Sequence, residues 1–186
     1  MAFRKSSASF IIPLLLLIGC PNQKNNPPLT KESPEKSAGG ISWSYPSRWQ
    51  SHPPRPMRAA TYIIPHASTD STDGECAVFY FGKGQGGDVD LNIKRWGSQF
   101  ESVIKGDKSE LNVSGVKVTR VELSGTYLAP SMMTDESSGR LENYALLGAI
   151  AETSEGMVFF KFTGPSKTVL EATQEFNAML NSITKL

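Results

Sequence analysis

From Ile41 onwards, apolar residues follow the spacing of β-strands in most segments and the spacing of α-helices in only two. The segments of strand character are 41–45, 57–64, 76–81, 116–123 with a possible extension to 128, 144–151 and 157–163. The helical segments follow residues 88 and 168. Runs of strands with few helices are typical of α+β proteins with antiparallel strands. The sequence therefore predicts an antiparallel β-sheet of about six strands with two main helices packed against it.

Capping residues place the ends of the two predicted helices. Asp88 is a suitable N-cap for the first helix, whose apolar stripe runs from Val89 to Ile104 and which is expected to stop at Gly106. Thr168 and Glu171 have the spacing of a capping box at the start of the last helix. Each helix is expected to pack on the sheet through its apolar stripe.

The N-terminal segment has the pattern of a secretion signal. Arg4 and Lys5 precede the apolar run 10–18, which is too short to cross a bilayer as a helix. The run ends in Leu17-Ile18-Gly19-Cys20, which resembles the lipobox of bacterial lipoproteins. This resemblance implies cleavage before Cys20 and attachment of lipid, including palmitate, to that cysteine. The alternatives are a short N-terminal anchor, or an ordinary signal with a chance cysteine.

The sequence thus divides into three parts. Residues 1–19 are the predicted signal peptide, 20–40 the lipidated cysteine and a disordered tether, and 41–186 a single α+β domain. The protein is expected in the cell envelope, anchored to the membrane through the lipid on Cys20. Pro21 is not the acidic residue linked to inner-membrane retention in some bacteria, so an outer-membrane position facing the periplasm is favoured.

Charge and residue counts exclude several classes of protein. The formal charge of +1 falls to −1 when the predicted signal is removed, which is unlike the basic surface of a nucleic-acid-binding protein. Two cysteines and two histidines are too few for a Cys/His zinc cluster. No sequence motif of a nucleophilic or metal-dependent hydrolase is present. No catalytic residue, metal site or cofactor is predicted, and Cys76 is expected to be a buried apolar residue.

A glycine-rich segment precedes the first helix. Gly82, Gly84 and Gly87 form a literal G-x-G-x-x-G between a strand and a helix, the context in which such loops bind phosphate. Asp88 and Asp90 oppose this interpretation because they would repel phosphate, and no βαβ unit follows. A nucleotide site, a site for another small polar ligand or partner, and a purely structural turn remain open.

Polar side chains on one flank of the first helix continue from this loop. Asn92, Arg95 and Gln99 recur at helical spacing beside the apolar stripe and form either a recognition edge or a solvated flank. Arg58 and Lys161 are single cations in apolar strands, expected at an edge or in a local salt bridge rather than in a cleft. The candidate binding residues are Gly82, Gly84, Gln85, Gly86, Gly87, Asn92, Arg95 and Gln99.

The two ends of the domain resemble those of the PsbP-like superfamily. The resemblance rests on Trp43-x-x-Pro46-x-x-Trp49, on the aromatic strand Val158-Phe-Phe-Lys-Phe and on the last helix with Phe176-x-x-Met179-Leu180. That group includes photosystem extrinsic subunits, nuclear-transport factors and bacterial DcrB-type lipoproteins. The resemblance implies an antiparallel sheet covered by helices and an accessory or docking role.

These observations lead to one favoured function and one alternative. The favoured function is that of a membrane-anchored, non-catalytic envelope lipoprotein acting as an accessory or binding module for an envelope protein or a small ligand. The alternative is an enzyme that binds a nucleotide or a small polar ligand at the loop 82–87. The sequence leaves the oligomeric state open.

Overall fold

The computed structural model describes residues 33–53, 55–129 and 139–186. The predicted signal, the lipidation site at Cys20 and most of the predicted tether lie outside the described residues. Residues 130–138 also lie outside them.

The described residues form ten strands and two helices, and the fold class is α+β with antiparallel sheets, as the sequence predicts. In chain order the elements are β1 (Glu35–Ala38), β2 (Ile41–Ser44), β3 (Gln50–Ser51), β4 (Arg58–Ile64), β5 (Gly74–Tyr80), α1 (Val89–Gly97), β6 (Phe100–Val113), β7 (Val116–Leu128), β8 (Arg140–Thr153), β9 (Gly156–Pro165), α2 (Ser166–Asn181) and β10 (Thr184–Lys185). One sheet has seven strands in the order β3-β4-β5-β9-β8-β7-β6, and the other has three in the order β1-β2-β10.

The seven-stranded sheet exceeds the expected six strands because its two edges carry little apolar signal. The first residues of the edge strand β6 are predicted as the end of the first helix, the rest of β6 is assigned to no element, and β3 is only two residues long. The central strands β5, β9, β8 and β7 carry the apolar segments recognised in the sequence. The central strands could be predicted because their buried side chains give an apolar pattern, whereas the edge strands lack such a pattern.

One face of the large sheet packs against α2 and the small sheet. Phe176 and Leu180 of α2 are fully or almost fully buried there, as is Trp43 of β2. The Trp43 indole Nε1 donates a hydrogen bond to the Tyr62 hydroxyl at 3.0 Å, and its ring meets Phe160 edge-on at 5.2 Å. This face holds the main hydrophobic core.

The start of α2 is capped from elsewhere in the chain, so the predicted capping box of Thr168 and Glu171 is wrong. The helix begins at Ser166, and its N-cap, Pro165, supplies no side-chain hydrogen bond. Asp70, in the loop between β4 and β5, accepts hydrogen bonds from the Thr168 backbone N–H at 2.9 Å and its hydroxyl at 2.6 Å. A tertiary contact replaces the local cap.

The first helix is shorter than predicted, and its stop at Gly106 is wrong. Asp88 is the N-cap, as expected, but α1 ends at Gly97 with Ser98 as the C-cap. Phe100 already pairs with Tyr127 of β7 and is buried on the second face of the sheet. A segment that is apolar at helical spacing continues as a strand because pairing with β7 supplies its backbone hydrogen bonds.

Strand β1 lies within 20–40, the range predicted to be a tether, so the ordered domain starts before Ile41. Three of its four side chains are exposed, and its pairing with β2 runs from Glu35 opposite Ser44 to Ala38 opposite Ile41. Such a strand is held by backbone hydrogen bonds and buries little apolar surface. Its composition therefore resembled that of a disordered linker.

Candidate functional site

A cleft of about 170 Å³ opens between α1 and the second face of the large sheet. We call it the α1 cleft. It is lined by residues of β5, α1, β9 and the segments that follow β5 and α1: Phe79, Phe81, Asn92, Arg95, Trp96, Gln99, Phe159 and Lys161. The polar flank predicted from the sequence thus faces a cavity, together with aromatic residues that the sequence assigned to strands.

Strand register creates the space for this cleft. Lys161 of β9 lies opposite Ala77 of β5 on one side and Gly148 of β8 on the other. Both neighbours have small side chains, so they leave open space beside the Lys161 side chain on this face of the sheet. A Cβ atom at Gly148 would collide with the Trp96 ring, because that ring lies directly on the glycine. The contact of Trp96 with Gly148 thereby positions α1 at the border of this open space.

The cleft wall is aromatic. The rings of Phe79 and Phe81 stack with centroids 6.0 Å apart, and Phe81 lies 5.7 Å from Phe159. Phe81 remains 38 % exposed, so part of its ring is accessible from the cleft. These rings provide a flat apolar surface that a planar group can stack against.

Lys161 supplies a positive charge to this aromatic site. Its Nζ lies 3.3 Å from the Tyr127 hydroxyl and 5.6 Å from the centre of the Tyr127 ring. Burial lowers the pKa of Lys161 to about 8; Glu75 opposes this shift and Arg58 adds to it. The ammonium group is therefore less well solvated than a surface lysine and gains more from an anionic partner.

The neighbouring charges leave the cleft positive. Arg58 donates to a Glu75 carboxylate oxygen at 2.9 Å and lies over the Phe79 ring at 5.5 Å, so the local salt bridge predicted for Arg58 is present. Among the described residues, no carboxylate lies within salt-bridge distance of Lys161 or Arg95. The sequence did not place Lys161 in a cleft, because the register that sets Ala77 and Gly148 beside it is not visible in the sequence.

Asn92 is a structural residue of the site. It is only 5 % exposed, and its Nδ2 donates to the backbone oxygens of Gly86 at 2.7 Å and Asp88 at 2.8 Å. Its Oδ1 accepts a hydrogen bond from Arg95 Nη1 at 3.1 Å. Asn92 therefore ties the glycine loop to α1 and orients Arg95 at the rim of the cleft.

Gln99 contributes a polar group to the cleft whose hydrogen-bonding capacity is unused. Its Oε1 is buried and has no hydrogen-bond partner within the described part of the chain. A buried amide oxygen without a partner costs free energy unless a ligand or water satisfies it. Its position in the cleft lining places this acceptor where a bound molecule can use it.

The glycine loop forms a turn that closes the cleft rim. Gly82, Gly84, Gly86 and Gly87 all have positive φ, between +71° and +99°. At Gly86 a Cβ atom would lie 2.8 Å from the Phe159 ring, so only glycine fits against the aromatic wall. Gly84, Gln85 and Gly87 line a separate depression beside the β8–β9 hairpin, outside the α1 cleft.

The start of α1 is already occupied by a carboxylate. The Asp88 side chain accepts hydrogen bonds from the backbone N–H groups of Asp90 at 2.8 Å and Leu91 at 3.1 Å. A phosphate at this position would compete with that carboxylate and be repelled by it. The geometry disfavours the nucleotide interpretation of the loop.

Cys76 and His66, whose side chains could take part in chemistry, have ordinary structural environments. Cys76 is fully buried, and burial raises the pKa of its thiol. His66 pairs with Asp73 at 2.7 Å in an exposed loop, and this contact lowers the pKa of the Asp73 carboxyl. Within the described ranges, no three His, Cys, Asp or Glu side chains gather as metal ligands, and neither helix has the length and apolarity to span a membrane.

These features define a class: an α+β domain of PsbP-like fold with a positively charged aromatic cleft. A solved structure with this fold is cyanobacterial PsbP (CyanoP) from Synechocystis sp. PCC 6803, determined in solution. The two structures match with a TM-score of 0.51 at 11 % sequence identity, over 82 % of this chain and 92 % of CyanoP. No protein-family model matches the sequence, and a search of curated proteins finds no match. The likeness to CyanoP concerns the fold alone.

Proposed function

We propose that this protein is a membrane-anchored, non-catalytic envelope lipoprotein that acts as a binding or accessory module through the α1 cleft. The observation that carries the proposal is the cleft itself, in which Arg95, Gln99 and Lys161 converge with an aromatic wall. Concave, mostly apolar sites with a few convergent polar groups are typical of ligand binding.

The composition of the cleft supports binding rather than catalysis. Its lining contains no Ser, Cys or His, and Asn92 is engaged in holding the glycine loop. The alternative, an enzyme that binds a nucleotide or polar ligand at 82–87, has weaker support because Asp88 occupies the helix N-terminus. A nucleotide-dependent rise in melting temperature would favour that alternative.

The membrane anchor is supported by the lipobox-like Leu17-Ile18-Gly19-Cys20. Lipid chains on Cys20 would hold the protein at the membrane, since each buried methylene contributes about 0.8 kcal/mol. Cells fed labelled palmitate should incorporate label into the wild-type protein and none into Cys20→Ser. Density-gradient separation of the membranes tests the outer-membrane position. Label on the Cys20→Ser variant, or wild-type protein in the released fraction, would contradict the anchor.

The binding function is tested by crosslinking in cells. A photoreactive residue at position 99 should form a discrete adduct, whereas the same residue at exposed Leu170, on α2, should form none. Arg95→Glu should abolish the adduct, and Lys94→Glu, an exposed neighbour outside the cleft lining, should preserve it. Equal adducts from positions 99 and 170 would remove the α1 cleft as the contact surface.

A further inference from the structure

We propose that the α1 cleft binds a small organic carboxylate with one flat apolar ring, with the acid group held by Lys161 and Arg95. This inference rests on the proposed binding function and narrows it to a class of ligand. Three independent features of the cleft lead to it: charge, shape and an unused hydrogen-bond acceptor.

The first feature is a pair of cations that are available to a ligand. Glu75 is the carboxylate that raises the pKa of Lys161. However, its carboxylate oxygens already lie 2.9 Å from a guanidinium nitrogen of Arg58 and 3.8 Å from one of Arg55. Arg95 donates to a neutral amide oxygen of Asn92, and Lys161 contacts a neutral phenol of Tyr127. Two cations therefore line the cleft without a described acidic partner, and an anion would complement both.

The second feature is the shape of the cleft, which the body of the ligand must match. Phe79, Phe81 and Phe159 present ring surfaces to the cleft, and Trp96 closes its far side. The volume of about 170 Å³ is close to that of cavities of about 150 Å³ that bind benzene. One ring with one acid group fits this space.

The third feature is the side-chain amide of Gln99. Its buried Oε1 is ready to accept a hydrogen bond from a hydroxyl or amino substituent on the ring. With the amide turned over, Nε2 would instead donate to the carboxylate. Either orientation gives a partner to an atom that lacks one. With the oxygen facing the ring substituent, as in this structure, a hydroxyl-substituted aromatic acid should bind more tightly than the unsubstituted acid.

The test is calorimetric titration of the full-length protein in detergent with benzoate as the probe. Benzamide is the neutral match and acetate the carboxylate without a ring. We expect benzoate to bind at least about tenfold more tightly than either, and 4-hydroxybenzoate to bind more tightly still. If benzamide bound as tightly as benzoate, the charge assignment would be overturned. If acetate bound as tightly as benzoate, the role of the aromatic wall would be overturned.

Variants and pH distinguish Lys161 from a general charge effect. Lys161→Met should weaken benzoate binding at least about tenfold without unfolding the domain, because methionine suits a partly buried position; Lys94→Met should leave binding unchanged. The affinity should also fall as pH rises through about 8, where Lys161 loses its proton. Benzoate affinity that is unchanged in Lys161→Met would refute the proposal.

Failure of this inference is separable from failure of the proposed function. If position 99 still crosslinks in cells while benzoate and 4-hydroxybenzoate give no heat at millimolar concentration, the cleft binds something else and the carboxylate assignment falls. If position 99 forms no adduct and the acids do not bind, both proposals fall.

Discussion

At the scale of single residues, Lys161 couples stability to pH. Its pKa is lowered to about 8 in the folded protein from an ordinary value of 10.5, with burial as the main cause. Below about pH 8 both states are protonated, and burial of the charge reduces stability. Between about 8 and 10.5 the unfolded chain holds more protons, so the contribution of Lys161 to the free energy of unfolding rises with pH.

This linkage gives a measurable difference between variants. Urea unfolding from pH 7 to pH 10 should show that the gain of Lys161→Met over wild type is largest at pH 7 and shrinks as pH rises. Lys94→Met, which changes an exposed lysine on α1, should show no such trend. A constant difference across this pH range would mean that Lys161 is not desolvated in the folded protein.

Gly148 is a second residue whose identity is dictated by a contact. Gly148→Ala would place a methyl group against the Trp96 ring, and we expect a loss of about 2 kcal/mol in the free energy of unfolding. The neighbouring Gly97→Ala is the matched control. Nothing lies within 4 Å of a Cβ atom built there, and alanine favours a helix, so this variant should be neutral or slightly stabilising. Equal effects of the two substitutions would contradict the close packing of Trp96 on β8.

At the scale of elements, α2 depends on a side chain about a hundred positions earlier in the chain. Asp70→Ala removes the hydrogen bonds to the Thr168 N–H and hydroxyl, and should cost about 1–2 kcal/mol by denaturant unfolding. Asp70→Asn is the comparison that retains an acceptor and should recover part of the loss. Glu171→Gln should have little effect, because the cap at Thr168 is provided by Asp70. A larger loss in Glu171→Gln than in Asp70→Ala would restore the local capping box.

For individual helices and strands, local sequence signals suffice to predict some boundaries and not others. The start of α1 was predictable because Asp88 is adjacent to the N–H groups that it caps. The end of α1 was not, because Phe100 fits a helical stripe and a buried strand equally well, and only pairing with Tyr127 decides between them. Likewise β1 was missed because its exposed side chains carry no apolar pattern.

At the scale of the whole molecule, the candidate site was half visible in the sequence. Arg95 and Gln99 were found because helical spacing relates residues that are near in the chain. Lys161 and Phe159 were not found, because they join the cleft through the alignment of β9 with β5 and β8. The fold class depends on the number and order of elements and could be predicted, whereas the cleft depends on register and could not.

One buried carboxylate links α2 to the segment between the two sheets, in addition to the hydrophobic core. Glu175 of α2 is 3 % exposed and accepts two hydrogen bonds from Arg48, each 2.5 Å, and one from the Trp49 indole at 2.8 Å. Arg48 and Trp49 lie in the segment that leads from β2 in the small sheet to β3 in the large one. Glu175 therefore connects the helix to the link between the sheets.

Removing this carboxylate should weaken the whole domain. Glu175→Ala leaves the buried Trp49 N–H without its partner, and we expect a loss of about 3 kcal/mol in the free energy of unfolding. Lys167→Ala, an exposed position on the same helix, should change stability by less than about 0.5 kcal/mol. Circular dichroism during thermal melting measures both variants. A melting temperature for Glu175→Ala equal to that of wild type would show that the contact contributes nothing to stability.

The pairing of β1 with β2 has a mechanical consequence. Strand β1 begins at Glu35, at the open end of a hairpin that turns at Gly39 and Gly40. A pull on the preceding chain would load the backbone hydrogen bonds one after another, in unzipping geometry, rather than all together in shear. Strand β1 would peel away first and release about 13 Å of extra length while α2 and the large sheet stay folded. Under tension, this hairpin would act as an extensible joint between the domain and whatever holds its N-terminal segment.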